Sequence, residues 1–173
     1  MQILDFIQNN LRNGFLDIIM RFITHIGDYG IIWFLTAVVL MTVKKTRAVG
    51  FAILAALLLC LLVGNLTLKP LIARERPFTV NASIELLIPR PADFSFPSGH
   101  TMSSFAAATV IFLANKRFGT VALVLAGAIA FSRLYLYVHY PSDVLAGGLI
   151  GIAFGVPAYA VTTKILKKFL TFL

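Results

Sequence analysis

The stretch Ser132-Arg-Leu-Tyr-Leu-Tyr-Val-His-Tyr-Pro-Ser-Asp143 sets Arg133, His139 and Asp143 close together between two long apolar runs. Charged and titratable groups are costly beside hydrocarbon, so such a cluster in an apolar chain marks a functional site by default. His139 and Asp143 are four apart. If Pro141 opens a helix, they lie one turn from each other, and Asp143 can accept a proton from one imidazole nitrogen. The other nitrogen then presents a lone pair, the state of a nucleophilic or basic histidine. The same spacing suits a helix-end His and Asp that only cap and hydrogen-bond.

Two more constellations carry chemistry. One is Lys69-Pro-Leu-Ile-Ala-Arg-Glu-Arg-Pro77, the other Phe96-Pro-Ser-Gly-His-Thr101. Ser98 reads as a helix N-cap, with Gly99 and His100 in the first turn. A helix N-terminus offers free N–H groups to an anion, and Gly99 lets a ligand approach the backbone. Lys69, Arg74, Arg76 and Arg133 would make a pocket for an anion with several oxygens, and arginine's planar fork fits phosphate. His100, His139 and Asp143 could form a two-histidine, one-carboxylate metal site. Four cations nearby would repel a divalent ion, so no metal and no other cofactor is expected.

Taken in order, Lys69 to Arg76-Pro77, Pro97 to His100, and Ser132-Arg133 to His139 and Asp143 resemble the signature of the type 2 phosphatidic acid phosphatase (PAP2) superfamily. All three motifs are complete. Each abuts an apolar run, so the chain resembles the integral-membrane lipid phosphatases rather than the soluble acid phosphatases or vanadium haloperoxidases. The resemblance implies catalytic roles for His139, His100 and Asp143. His139 would attack phosphorus and form a phosphohistidine, with Asp143 holding its tautomer. His100 would protonate the leaving oxygen and then activate water. Lys69, Arg76, Ser98, the Gly99 N–H and Arg133 would bind the phosphate. Arg74, Glu75, Arg90 and Asp93 read as loop residues, Arg74 being able to touch a headgroup.

The elements that must position these groups follow from composition. The chain has 173 residues, 59% hydrophobic and 13% charged. A soluble domain has roughly 45–50% apolar and about 25% charged residues, so this one belongs in a membrane. It reads as a single domain, residues 1–173, with the motifs in 69–143. Its net charge of +8 does not point to nucleic acid, because the basic residues are split among short loops. Cys60, the single cysteine, reads as a packed core thiol. Met1–Asp5 lacks the positive leading region of a signal peptide, and no lipidation motif is visible.

Residues 1–27 predict an interfacial amphipathic helix, or two broken near Asn13-Gly14. His25 and Asp28 read as polar residues of the turn that follows rather than catalytic ones. Five spans follow: 30–43, 48–68, 98–115, 118–138 and 141–163. They must be helical, because no alternating strand pattern appears and lipid demands internal backbone pairing. The fold class is thus an all-α membrane bundle of about five transmembrane helices plus an N-terminal interfacial helix, where many bacterial PAP2 members have six spans. Gly147, Gly148, Gly151 and Gly155 suit close packing within the bundle, with a dimer seam as the lesser use. Trp33, Phe34, Tyr135, Tyr137 and Tyr140 suit interfacial belts or packing.

Lys44, Lys45 and Arg47, then Lys116 and Arg117, then Lys164, Lys167 and Lys168 fall on one side of five crossings, and all seven acidic residues on the other. The positive-inside rule makes the basic side cytoplasmic and places the motifs on the outer, extracytoplasmic face; the resemblance implies that this membrane is a bacterial cytoplasmic (inner) membrane. The expected partner is a lipid phosphate or pyrophosphate among membrane lipids, with undecaprenyl pyrophosphate favoured by the outward face. Phosphatidylglycerol phosphate, phosphatidic acid and lipid A 1-phosphate are the alternatives. A non-catalytic lipid or phosphate carrier is the alternative of another class. Oligomeric state is not legible.

Overall fold

A computed structural model describes the backbone of residues 1–170 and the side chains of residues 1–166. All regular elements among the described residues are helices. The bundle is built around α7 (Gly99–Ala114), whose Thr101, Met102, Ser104 and Ala106 to Val110 are all buried. Three successive alanines, 106 to 108, keep this helix thin, so neighbours can close on it from several sides. Those neighbours are α4 (Arg47–Leu59), α8 (Lys116–Tyr135) and α9 (Pro141–Leu170), with α3 (Ile31–Thr42) packed on α4.

The glycines of α9 face α7. A Cβ on Gly147, Gly151 or Gly155 would stand 2.7, 2.4 and 2.7 Å from the carbonyl oxygens of Ser98, Met102 and Ala106. The two backbones therefore touch along three successive turns. Gly148 meets only ordinary van der Waals contact. Trp33 packs inside and donates to Ser104 Oγ at 2.9 Å, and the Cys60 thiol is buried in the same core.

Helix α4 runs on through wider π-type turns, Cys60–Leu68, into α5 (Lys69–Ile72). This continuous helix, α8 and α9 are each long and apolar enough to cross a membrane. Helix α7 is apolar but shorter, 16 residues. The expected first crossing, 30–43, is α3, whose 12 residues make roughly 18 Å of helix and fall short of a full crossing. With α2 (Gly14–Ile26) it qualifies as one crossing bent by 40°. The break is local. Tyr29 (φ 53°) and Gly30 (φ 69°) are both left-handed, which no helix interior accommodates. The expected fourth crossing stops at Tyr135 rather than Val138 because Tyr137 (φ 60°) turns the chain. Lys164 lies inside α9, which outruns its predicted end; the side chains of Lys167 and Lys168 lie outside those described.

Residues 1–27 form two helices, α1 (Gln2–Asn10) and α2. The Asn13 side chain caps α2 by accepting from the Leu16 N–H at 3.0 Å. This hairpin lies over the motif-bearing end of the bundle and makes a second small core there. Leu4 and Ile7 of α1 meet Phe78 of α6 (Pro77–Val80), Tyr135 to Val138, and Leu86 to Ile88 of the 81–98 loop. Burying Leu4 fully contributes about 2 kcal/mol. Tyr137 donates to Asp5 at 2.6 Å and Tyr135 to Asp17 at 2.7 Å. The N-terminal hairpin thereby grips the turn that carries His139.

Candidate active site

His139 sits in that turn, just before α9, and is almost fully buried. Arg76 Nη1 donates to the Val138 carbonyl at 2.7 Å and points at His139 Nε2 at 3.2 Å. A guanidinium N–H can only donate, so Nε2 is the accepting nitrogen and the proton resides on Nδ1. Burial pushes the imidazole well below its usual range; Asp143 opposes that shift, and Arg76, Arg133 and Lys69 add to it. The ring is therefore neutral near pH 7, with its lone pair toward the cations.

The link from Nδ1 to Asp143 differs from the expected direct bond. Nδ1 is 3.6 Å from Asp143 Oδ2, a charge contact too long for a hydrogen bond. Pro141 begins α9, so His139 lies outside the helix and the four-residue spacing is not helical. Ser95 mediates the contact: its hydroxyl donates to Asp143 Oδ2 at 2.5 Å and stands 3.5 Å from His139 Nδ1. Nor is Asp143 reserved for His139. Its Oδ2 also accepts from the Tyr140 N–H at 2.9 Å, and Oδ1 accepts from Arg74 Nη1 at 2.6 Å. Arg74 stacks on the Tyr140 ring, 4.0 Å from its centroid, so it is more than a solvated loop charge.

Lys69 and Arg76 are both buried, and both hold Asp93. Arg76 Nη2 reaches Asp93 Oδ1 at 2.6 Å, and the Lys69 ammonium pairs with Oδ2. Burial tends to raise the pKa of Asp93, but these two cations outweigh it and hold the carboxyl at about 2. A carboxylate thus occupies the donors expected to face a phosphate.

Arg133, on the last turn of α8, is buried. Its Nη1 donates to Thr24 Oγ1 of α2 at 2.5 Å, and its Nε has no hydrogen-bond partner among the described residues. Arg76 bonds to the turn of His139 and Ser98 to the Asp143 carbonyl, so the three motifs converge at one end of the bundle.

Ser98 is the residue preceding α7, as expected, but its side chain makes no capping bond. Its hydroxyl instead accepts from Thr101 Oγ1 at 3.0 Å, which leaves the first N–H groups of the helix without that partner. Its own N–H donates to the Asp143 carbonyl at 3.1 Å and ties α7 to α9. Gly99 lies against Asn65, whose Oδ1 would be 2.9 Å from an added Cβ. His100 points Nε2 at Asp28 Oδ1, 2.9 Å away, and Asp28 Oδ2 meets His25 Nδ1 at 2.8 Å. Asp28, expected to be a plain polar turn residue, therefore touches the motif histidine, with His25 behind it. Among the described residues, no group of three or more His, Cys, Asp or Glu side chains is arranged to hold a metal ion.

Sequence reasoning gives no role to Ser95, Thr24 or Asn65, and takes Asp28 for a polar turn residue. None has a local spacing that signals its role; each is brought in by a long-range contact. A model of the PAP2 superfamily matches residues 45–167.

This chain belongs to the PAP2 superfamily.

Among its relatives is an undecaprenyl-diphosphatase of Sulfolobus acidocaldarius, 32% identical over 121 residues. That match covers 69% of this chain but 58% of the relative, so the PAP2 chain spans little more than half of that protein's length. Two crystal structures share its architecture. LpxE of Aquifex aeolicus superposes with a TM-score of 0.75 at 28% identity, over 91% of this chain and 92% of that one. A transmembrane PAP2-type phosphatidylglycerolphosphate phosphatase of Bacillus subtilis gives 0.72 at 27% identity, over 89% and 80%. The PAP2 chain is accordingly a multi-pass membrane protein whose motif residues converge at one end of a helical bundle.

Proposed function

We propose that this PAP2 chain is a metal-independent lipid phosphatase that works through a phosphohistidine on His139, with undecaprenyl pyrophosphate as its substrate. The observation that carries the reading is a neutral, buried imidazole whose accepting nitrogen faces Arg76 and lies near Lys69 and Arg133. Binding alone does not call for such a group; a nucleophile does.

The lone pair of Nε2 attacks the terminal phosphorus, and a P–N bond forms as the bridging P–O bond breaks and undecaprenyl phosphate departs. His100, protonated, gives its proton to the departing oxygen. Asp143, through Ser95, steadies the positive charge growing on His139. Lys69, Arg76, Arg133 and the first N–H groups of α7 take the charge of the equatorial oxygens. Asp93 must release Lys69 and Arg76 for this. Neutral His100 then takes a proton from water, the hydroxide oxygen bonds to phosphorus, and the P–N bond breaks to return His139 and inorganic phosphate.

The substrate follows from position and kinship. The charge pattern favours a site at the outer leaflet, where undecaprenyl pyrophosphate would present its terminal phosphate, and the Sulfolobus relative is named for that activity. Phosphate release should be measured in detergent with EDTA, comparing undecaprenyl pyrophosphate, phosphatidylglycerol phosphate, phosphatidic acid and lipid A 1-phosphate. Undecaprenyl pyrophosphate should turn over fastest, EDTA should have no effect, and His139→Ala should be inactive. Retained turnover in His139→Ala would refute the mechanism, and a faster rival lipid would refute the substrate.

A further inference from the structure

We propose that Asp28 is the positioning residue for His100, and that the N-terminal α2 and its following turn supply one wall of the active site. The inference rests on the phosphatase reading but concerns residues that precede the 45–167 family match.

Three observations meet at this turn. Asp28 Oδ1 lies 2.9 Å from His100 Nε2, while its Oδ2 is held by His25 Nδ1 at 2.8 Å, so both oxygens are engaged and the carboxylate has a fixed orientation. Asp28 is placed by the left-handed Tyr29 and Gly30 that follow it. Tyr29 is 98% exposed, so its own packing does not explain that backbone. Gly27, the residue before, leaves the space the imidazole needs: a Cβ there would stand 3.0 Å from His100 Cδ2 and 2.9 Å from Ile129 Cγ2. One turn earlier, Thr24 holds Arg133. A single helix end thus contacts functional side chains from two different motifs.

The chemistry follows from which nitrogen is taken. A carboxylate accepts, so His100 donates from Nε2–H and the neutral ring keeps its lone pair on Nδ1. Nδ1 is the nitrogen that deprotonates water and, once protonated, delivers a proton to the leaving oxygen. Asp28 fixes this tautomer and stabilises the imidazolium. The titratable and charged groups around His100 are Asp28 and His25 from the N-terminal side, Arg133 from α8 and Lys69 from the start of α5. Removing the carboxylate leaves His100 with the two cations and His25 alone.

A double-mutant cycle tests this with purified full-length protein, the substrate turning over fastest in the lipid panel, and thermal unfolding as a check on folding. Asp28→Asn should lower kcat by roughly 10- to 100-fold, the range for a supporting hydrogen-bond partner, and leave KM within about threefold. It should also move the His100 limb of the kcat–pH profile to lower pH. In a His100→Ala background the same change should alter kcat by less than about twofold, since Asp28 would have nothing left to orient. If the two losses multiply, or if Asp28→Asn changes only KM or the yield of folded protein, the proposal is overturned. Should Asp28→Asn not fold, Asp28→Ser and Asp28→Glu carry the same cycle. Failure of the phosphohistidine reading shows separately, as activity in His139→Ala.

Discussion

Arg76 holds Asp93 by both backbone and side chain: Nε donates to the Asp93 carbonyl at 2.8 Å and Nη2 to its carboxylate at 2.6 Å. The same guanidinium points its third nitrogen at His139. Under the proposed mechanism, Asp93 competes with the substrate phosphate for these donors. Asp93→Asn removes the competing charge while keeping the shape. Hydrogen bonds to charged groups contribute about 1.5–3 kcal/mol, so inorganic phosphate should inhibit this variant at roughly tenfold lower concentration. Inhibition of turnover by orthophosphate measures it, and weaker inhibition would show that Asp93 helps to build the cup instead.

The same carboxyl gives a pH test. It titrates at about 2 in the folded protein, against an ordinary value near 4. A carboxyl with a lowered folded pKa stabilises fully above its unfolded pKa and loses that contribution as pH falls through the folded one. The contact should stabilise the protein above about pH 4 and cease to do so near pH 2. The Tm gap between wild type and Asp93→Asn should narrow as the pH is taken from 5 to 2. A gap that widens on acidification contradicts the assignment.

Ser95 bridges what sequence spacing alone would join directly. Ser95→Ala leaves Asp143 Oδ2 with one donor instead of two and removes the oxygen facing His139 Nδ1. A loss of roughly 10- to 100-fold in kcat is expected, as for other outer partners of a reactive group, with KM nearly unchanged. Steady-state kinetics on the lipid substrate decide it; unaltered kcat would mean that the charge contact suffices.

Thr24 is the one hydrogen-bond partner of Arg133 Nη1 among the described residues. Thr24→Val keeps the volume and removes the acceptor from a buried cation, which should destabilise the fold by about 1–3 kcal/mol. Thermal unfolding in detergent reads this, and an unchanged Tm would mean that the guanidinium finds another acceptor.

Two glycines make a matched pair. Gly151→Ala would put a methyl carbon 2.4 Å from the Met102 carbonyl oxygen and 3.0 Å from the Ala106 nitrogen, both backbone atoms that cannot swing aside. A loss of about 1–3 kcal/mol is expected. Gly127→Ala, inside α8 with nothing within 4 Å, should instead gain about 0.5–1 kcal/mol of helix propensity. Comparing the two Tm values against wild type checks both signs.

The bundle was legible in the sequence because hydrophobic length and terminal charges report directly on helices in lipid. The three motifs named their own residues for the same reason: each is local. What spacing could not show was how one segment lies against another. The four residues between His139 and Asp143 suggested a helical turn, yet Pro141 starts the helix too late for that. Asp28 and Thr24 lie 72 and 109 residues from the side chains they hold, with no pattern to announce the pairing. The short length of α7 was legible too, since the apolar run 98–115 already falls below the ~20 residues of a full crossing.

Helix α2 has two faces with different surroundings. Phe15, Ile18 and Phe22 stand about two-thirds or more exposed on one side, while Thr24 reaches inward to Arg133. Those outward rings and branched chains are the surface that acyl tails would wet. If α2 and its turn hold His100 and Arg133 in place as proposed, a change in the leaflet around those side chains reaches the contacts beneath, so micelle and bilayer would load them differently. On the proposed reading, lipid composition would then be a variable of the reaction itself.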